Sequence, residues 1–573
     1  MPLHHSTRYR LGVAARLLAA ILGGYLLTVA ITWMLAVLLP QSRVDAVMTA
    51  TLLSFLVYAA IILCVFGKRG HWRQAMAWLH TWSGLFVCWL LLMVFMSGTA
   101  SYYRDEISLW MKPELQAASQ ASQVAPVPAA QSAQSALAYL RRQAPDATRW
   151  VIELPSGRQP ALAVSWVAPK TADKKRRARQ DQVLLDPASG AQLPAPRATE
   201  GGDFLFRLHF DLQYMPIVWG RWIVGIAAMG MLVAILSGVI THRRIFKDFF
   251  TFRPRKGQRS WLDAHNALAV LALPFHLMIT YTGLVTLMFM YMPAPKQALY
   301  GGDQKTWLQE AYPQTARKVT PSGQPAPLTD LAPLLAQASQ RWQGAAAGRI
   351  VIDYPGDANA TIAIARQAGL SFSNIEPTLL FQGASGQLIA ATDYDAITPS
   401  EARRAMYGLH LGRFADPLLR ALFFLCGLAG CAMVATGAVL WGVRTRAQAA
   451  KAGRMGFGLR LVEALNIGAI AGLPIAFAAF FWANRLLPVD MAQRADREIA
   501  CFFGAWALAA VLAQLRPTLA MWRCQLWLGA GLWCGLMPLT LATTEVALAG
   551  FDWVALVVGL LLAGTAFKLK SRP

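Results

Sequence analysis

Ten apolar runs, at about residues 12–39, 46–66, 75–101, 218–241, 265–290, 418–441, 462–484, 498–514, 525–543 and 550–567, dictate what this chain can become. About 20 apolar residues rising roughly 1.5 Å each cross a hydrocarbon core of roughly 30 Å, so each run is a spanning helix. Only 14% of the 573 residues are charged, whereas a soluble surface needs roughly 25%. The expected fold class is an all-α polytopic membrane bundle of about ten helices. The first run is too long for a signal-peptide core and shows no evident cleavage site, so it reads as an uncleaved anchor.

The formal net charge of +23 suggests a nucleic-acid partner, but its location argues for a topology signal. Seven Lys or Arg against one acid lie between Arg243 and Arg259, with further basic loops at Lys68, Arg69 and Arg73 and at Arg444, Arg446, Lys451, Arg454 and Arg460. These loops alternate with less basic connections, the positive-inside pattern, so both termini are expected in the cytoplasm, with lipid and not nucleic acid as the surrounding partner. The run Lys170, Lys174, Lys175, Arg176, Arg177 and Arg179 reads as a solvated hairpin tip. All seven cysteines fall in or beside apolar runs, so no disulfide framework is expected.

Residues 102–208 and 292–409 form two extramembrane regions that resemble each other. Arg149-Trp150-Val151-Ile152-Glu153-Leu154-Pro155 parallels Arg349-Ile350-Val351-Ile352-Asp353-Tyr354-Pro355, and in both a helical stretch precedes strand-like runs. Two small α+β domains, each with a helix on one sheet face, are expected. The chain then divides into two N-terminal helices (1–74), a first core repeat (75–260), a second core repeat (261–446) and four C-terminal helices (447–573) to which no chemistry is assigned.

Within the repeats, His80 precedes Ser97-Gly98 and His265 precedes Thr282-Gly283, with 18 residues from histidine to glycine in both. A straight helix of that length covers about 27 Å, so histidine and glycine lie near opposite faces of the membrane. Leu208-His209 and Leu409-His410 start the returning helices, which end in Ser237-Gly238 and Thr436-Gly437. The expectation is that His80 pairs with His265 at the cytoplasmic face and His209 with His410 at the outer face. Two imidazoles are too few for a zinc site, but they suit the axial positions of a haem, which brings four nitrogens of its own. Gly98, Gly238, Gly283 and Gly437 would let a flat macrocycle approach, and the neighbouring hydroxyls would bond back to their helices. His209 lies 29 residues before Gly238, about 43 Å along a straight helix, so either the outer histidines stand above the membrane or the chain bends at Pro216 and Pro417. His276 is a fifth candidate, as a ligand or as a hydrogen-bonded interior residue. The side chains of Tyr102, Tyr103, Arg104, Tyr291 and Met292 are candidates for the border of an outer docking surface.

Leu79-His80-Thr81-Trp82-Ser83-Gly84 with Ser97-Gly98, Leu208-His209 with Ser237-Gly238, Pro274-Phe275-His276-Leu277-Met278 with Thr282-Gly283, and Leu409-His410 with Thr436-Gly437 together resemble the PepSY-associated transmembrane family, which includes siderophore-iron reductases. The outer regions are similar to PepSY modules. The resemblance implies two b-type haems and electron transfer across the membrane to ferric iron in a periplasmic siderophore or other chelate. Six helices exceed the simplest members. No dinucleotide fingerprint follows a strand, so a quinol or a separate cytoplasmic reductase is the expected electron donor. Two other readings remain: a transporter for iron chelates or peptides, and a PepSY-type binding or regulatory protein.

Overall fold

The computed structural model describes residues 12–13, 15–67, 71–116, 127–169, 182–242, 251–311, 319–369, 372–373, 376–392, 398–451 and 456–569. His4, His5, Lys68, Arg69, Arg454, the basic run from Lys170 to Arg179 and the Arg243 end of the basic loop lie outside the described residues. Two compact units divide the chain: a helical unit of Met1–Arg104, Thr199–Gly302 and Leu409–Pro573, and a unit of Asp105–Ala198 and Asp303–Gly408.

In the helical unit, nine helices among the described residues are long and apolar enough to cross a membrane. Apolar side chains satisfy the lipid, and the hydroxyls inside these helices bond to their own backbone: Thr28 donates to the Gly24 carbonyl and Thr51 to that of Val47. The tenth expected span is broken. Gln258–Leu271 and Leu273–Thr286 meet at 68°, so the straight rise from His265 to Gly283 is replaced by two segments. Pro274 in the first turn of the second segment is the cause, because its ring would strike the Val270 carbonyl of a continuous helix and it has no N–H to donate. The matching helix of the first repeat, Trp72–Ser101, is unbroken.

Phe457–Leu486 is the most buried of the described spans. A π turn at Ile467–Ala471 loosens its backbone ladder, and Trp506 donates its indole N–H to the Gly468 carbonyl at 2.9 Å. Immediately before the π turn, buried Asn466 accepts from Trp89 of the His80 helix at 2.9 Å and donates to the Ala438 carbonyl at 3.2 Å, so an amide fastens this span to two helices of the core.

The second unit is a seven-stranded antiparallel sheet ordered β3-β2-β1-β4-β5-β6-β7. The first repeat supplies β1 (Arg149–Glu153), β2 (Leu162–Val167) and β3 (Val183–Leu185). The second supplies β4 (Ala347–Asp353), β5 (Thr361–Arg366), β6 (Thr378–Gln382) and β7 (Leu388–Ala391). Instead of standing as two separate small domains, the repeats join, because β1 and β4 would otherwise be open edges with unpaired backbone groups. Their like motifs pair antiparallel about Val151 and Val351, with Arg149 opposite Asp353 and Glu153 opposite Arg349. Both opposed couples form ion pairs, at 2.5 and 2.9 Å. The alternate residues Trp150, Ile152, Ile350 and Ile352 turn to the core beneath the helices Ala129–Gln143 and Leu331–Arg341.

The seam rests on backbone pairing and buried apolar surface more than on charge. Val151→Pro should cost about 3 kcal/mol or more by breaking the central ladder. Arg149→Ala should cost about 1 kcal/mol or less, because its ion pair is half exposed. Amide hydrogen exchange in β4 measures both.

Candidate functional site

Four histidines of the core repeats are held in one recurring way. The His80 ring sits against Gly238 with Nδ1 2.7 Å from the Ala234 carbonyl. His265 sits against Gly437 with Nδ1 2.9 Å from the Met433 carbonyl, and His209 against Gly98 with Nδ1 2.8 Å from the Val94 carbonyl. In each case the carbonyl belongs to the residue four before the glycine. His410 against Gly283 is the variant: Nδ1 lies 3.1 Å from the Thr282 hydroxyl and beside the backbone of Ile279, again four before the glycine.

The glycines are required by the rings themselves. A Cβ at Gly238, Gly437 or Gly283 would lie 3.0 Å from an imidazole atom, and one at Gly98 would lie 2.7 Å from two. The notch expected to admit a flat macrocycle is filled by imidazole. The hydroxyl before each glycine bonds back to its helix as expected: Ser97 to Met93, Ser237 to Val233, Thr282 to Met278 and Thr436 to Ala432, at 2.6 to 2.8 Å. Its longer contact, at 3.0 to 3.3 Å, reaches the carbonyl of Val94, Ala234, Ile279 or Met433, the same residues that flank the rings.

This seating decides the protonation pattern. A carbonyl only accepts, so the Nδ1 atoms of His80, His209 and His265 carry the proton and Nε2 keeps its lone pair. At His410 the Thr282 hydroxyl spends its hydrogen on Met278, so its oxygen accepts from Nδ1 and the outcome is the same. Such a second-sphere bond fixes a ligand's orientation and raises its basicity.

The four rings meet in the two couples expected from the repeats. His80 and His265 have ring centroids 6.1 Å apart, and His209 and His410 5.9 Å apart. Two imidazoles on opposite sides of one metal atom place their centroids about 6 Å apart, taking about 2 Å for each metal–nitrogen bond. Among the described residues no group of three or more His, Cys, Asp or Glu is arranged to hold a bare metal ion.

The chain reverses between His209 and the helix that ends in Gly238. His209 lies on the separate helix Gly201–Asp211, and the chain turns back through Leu212 and Tyr214, both in the left-handed backbone region, before Ile217–Thr241 begins. The Gly201–Asp211 helix itself packs on the His80 helix, which seats His209 against Gly98. His276 joins neither couple. It is 1% exposed, its ring neighbours are Phe95 and Phe275, and its Nε2 faces Gly430 with no hydrogen-bond partner among the described residues. Tyr102, Tyr291 and Met292 are buried, and Tyr291 joins Tyr25 to the Arg221 carbonyl, so these three are structural and do not border a docking surface.

The glycine notches grade a prediction. Gly98→Ala should destabilise by about 1–3 kcal/mol and by more than Gly238→Ala, since its notch is tighter. Gly84→Ala on the His80 helix meets nothing within 4 Å and should be neutral or mildly stabilising. Melting temperatures in one detergent or lipid preparation rank the three.

Among known proteins, an uncharacterised protein of Pseudomonas aeruginosa is 29% identical over 342 residues, covering 55% of this chain and 80% of its own length. The family model described as the PepSY-associated TM region matches residues 77–444, a stretch that includes all four seated histidines and their glycines. This multi-pass membrane protein therefore belongs to the PepSY-associated TM region family.

Proposed function

We propose that the chain is a haem-b electron conduit of a bacterial inner membrane that reduces ferric iron in a periplasmic siderophore or similar chelate. The observation that carries this reading is the pair of imidazole couples, at 6.1 and 5.9 Å, each ring supported through Nδ1. His80 and His265 would hold one haem and His209 and His410 the other. Bound haem supplies a one-electron carrier whose potential follows its axial ligands and surroundings.

The chain's own residues have three tasks in this proposal. Carbonyls of Ala234, Val94 and Met433, with the Thr282 hydroxyl, hold the rings in the tautomer that leaves Nε2 for iron. The glycines fix how deeply each ring sits. The apolar helices exclude water, which keeps the site's electrostatics strong. A quinol or a separate cytoplasmic reductase would deliver electrons at the His80 face.

One observation favours a second reading, a transporter for iron chelates or peptides. The span broken at 68° beside buried His276 has the form of the discontinuous helices at which transporters bind substrates.

An optical spectrum of the purified protein separates the two. A conduit gives low-spin b-type bands that dithionite reduces, and His80→Ala or His265→Ala removes about half of the haem while leaving the other couple's share. His209→Ala or His410→Ala should remove the complementary half, with ferric-chelate reduction lost in all four variants. Colourless protein with proton-dependent uptake in vesicles would establish the transporter instead.

A further inference from the structure

The four C-terminal helices carry none of the seated histidines, yet they hold the helix that presents one of them. Phe204 on Gly201–Asp211 is 1% exposed, and its ring lies 4.9 Å from Phe480, 5.3 Å from Phe502 and 6.3 Å from Phe503. Five residues later the same helix carries His209. At the start of this helix the Thr199 hydroxyl accepts from the Gly201 N–H at 3.1 Å and donates to Glu498.

Glu498 itself is fully buried. It pairs with fully buried Arg494 and accepts from Asn484 at 2.8 Å, while Arg494 also donates to the Asn484 carbonyl at 2.6 Å. Taking two charges out of water is costly, and such a pair adds little net stability over an apolar substitute. Its use lies in direction: a buried carboxylate with few acceptor sites left fixes where its remaining donor, Thr199, must be. The aromatic cluster and this hydroxyl therefore grip the His209 helix at two points.

We propose that the C-terminal helices are a brace for the outer imidazole couple, with Thr199, Glu498 and Phe204 as positioning residues that set the His209 ring against Gly98. The part played by the couple rests on the haem reading above; the brace itself does not.

The test uses the full-length protein. Thr199→Val removes the bridge but leaves the Arg494–Glu498 pair whole, and Thr199→Ser restores the hydroxyl. A second variant, Arg494→Met with Glu498→Leu, removes the acceptor without stranding a buried charge. In cofactor-free protein, hydrogen exchange across 201–211 should quicken roughly tenfold in Thr199→Val and in the double variant, the loss expected for a hydrogen bond to a charged group. It should be unchanged in Thr199→Ser, and exchange across 399–411, the His410 helix, should stay constant throughout. In haem-loaded protein, one of two low-spin electron paramagnetic resonance signals should shift in Thr199→Val, the one that His209→Ala abolishes. Unchanged exchange in both variants, or equal loosening of 201–211 and 399–411, overturns the brace. A shift of both signals or of neither overturns its role in positioning His209. Protein that takes up no haem sinks the conduit reading, and the exchange rates still decide the brace.

Discussion

An imidazole N–H resting on a helix carbonyl, in a notch that only glycine leaves open, is the interaction on which the rest of the membrane unit depends. Inside an apolar bundle an unsatisfied ring nitrogen is costly, and most backbone carbonyls are already committed to their own helix. A carbonyl oxygen has a second lone pair, however, and the carbonyl four residues before a glycine lies just beneath the missing side chain. The ring can approach there without disturbing the helix ladder. The Ser or Thr preceding the glycine crowds the same place from the side, so the ring has one position and one orientation. What remains is an Nε2 that keeps its lone pair, and the repeats bring two such rings together in each couple, with centroids 6.1 and 5.9 Å apart.

Much of this was legible in the sequence, and the limits have physical reasons. Matching distances from His80 to Gly98 and from His265 to Gly283 announced the pairing, because position along a spanning helix translates into depth. That each glycine seats an imidazole was not legible, since spacing gives position along a helix and not the direction in which a side chain points. Pro274 marked the break of the second span, and its counterpart in the first repeat is Trp89, which continues the helix. The outer motifs were read as alike; that Arg149 and Asp353 would face each other across one sheet depends on strand order, which no local pattern carries. The two orientations of a pseudo-dyad make a self-pairing motif of any strand with arginine at one end and an acid at the other.

The C-terminal helices were the least legible part. They show no internal repeat, and their tie to the His209 helix joins Thr199 to Glu498 across 299 positions of sequence. Nothing near Glu498 in the chain distinguishes a buried bridging carboxylate from an ordinary one at a helix start. Asn466 poses the same difficulty: a lone asparagine in an apolar run reveals its role only when Trp89 and the Ala438 carbonyl are brought to it.

These unrepeated features matter because a perfect two-fold bundle would hold both members of each couple alike. Here the symmetry is broken at both levels of the helical unit. On one half, the His209 helix is clamped by the Phe480 and Phe502 cluster and by the Glu498 bridge. On the other, the helix leading from His265 is broken, and His276 lies buried against Gly430 where the first repeat has Leu91. Even the seats differ, with three rings bonded to carbonyls and His410 to a hydroxyl. The outer couple therefore joins His209, whose helix is tied to the C-terminal helices, to His410, whose ring rests on the Thr282 hydroxyl. That division follows from the residues that depart from the repeat, and it gives the additional helices a physical reason to be attached to one side.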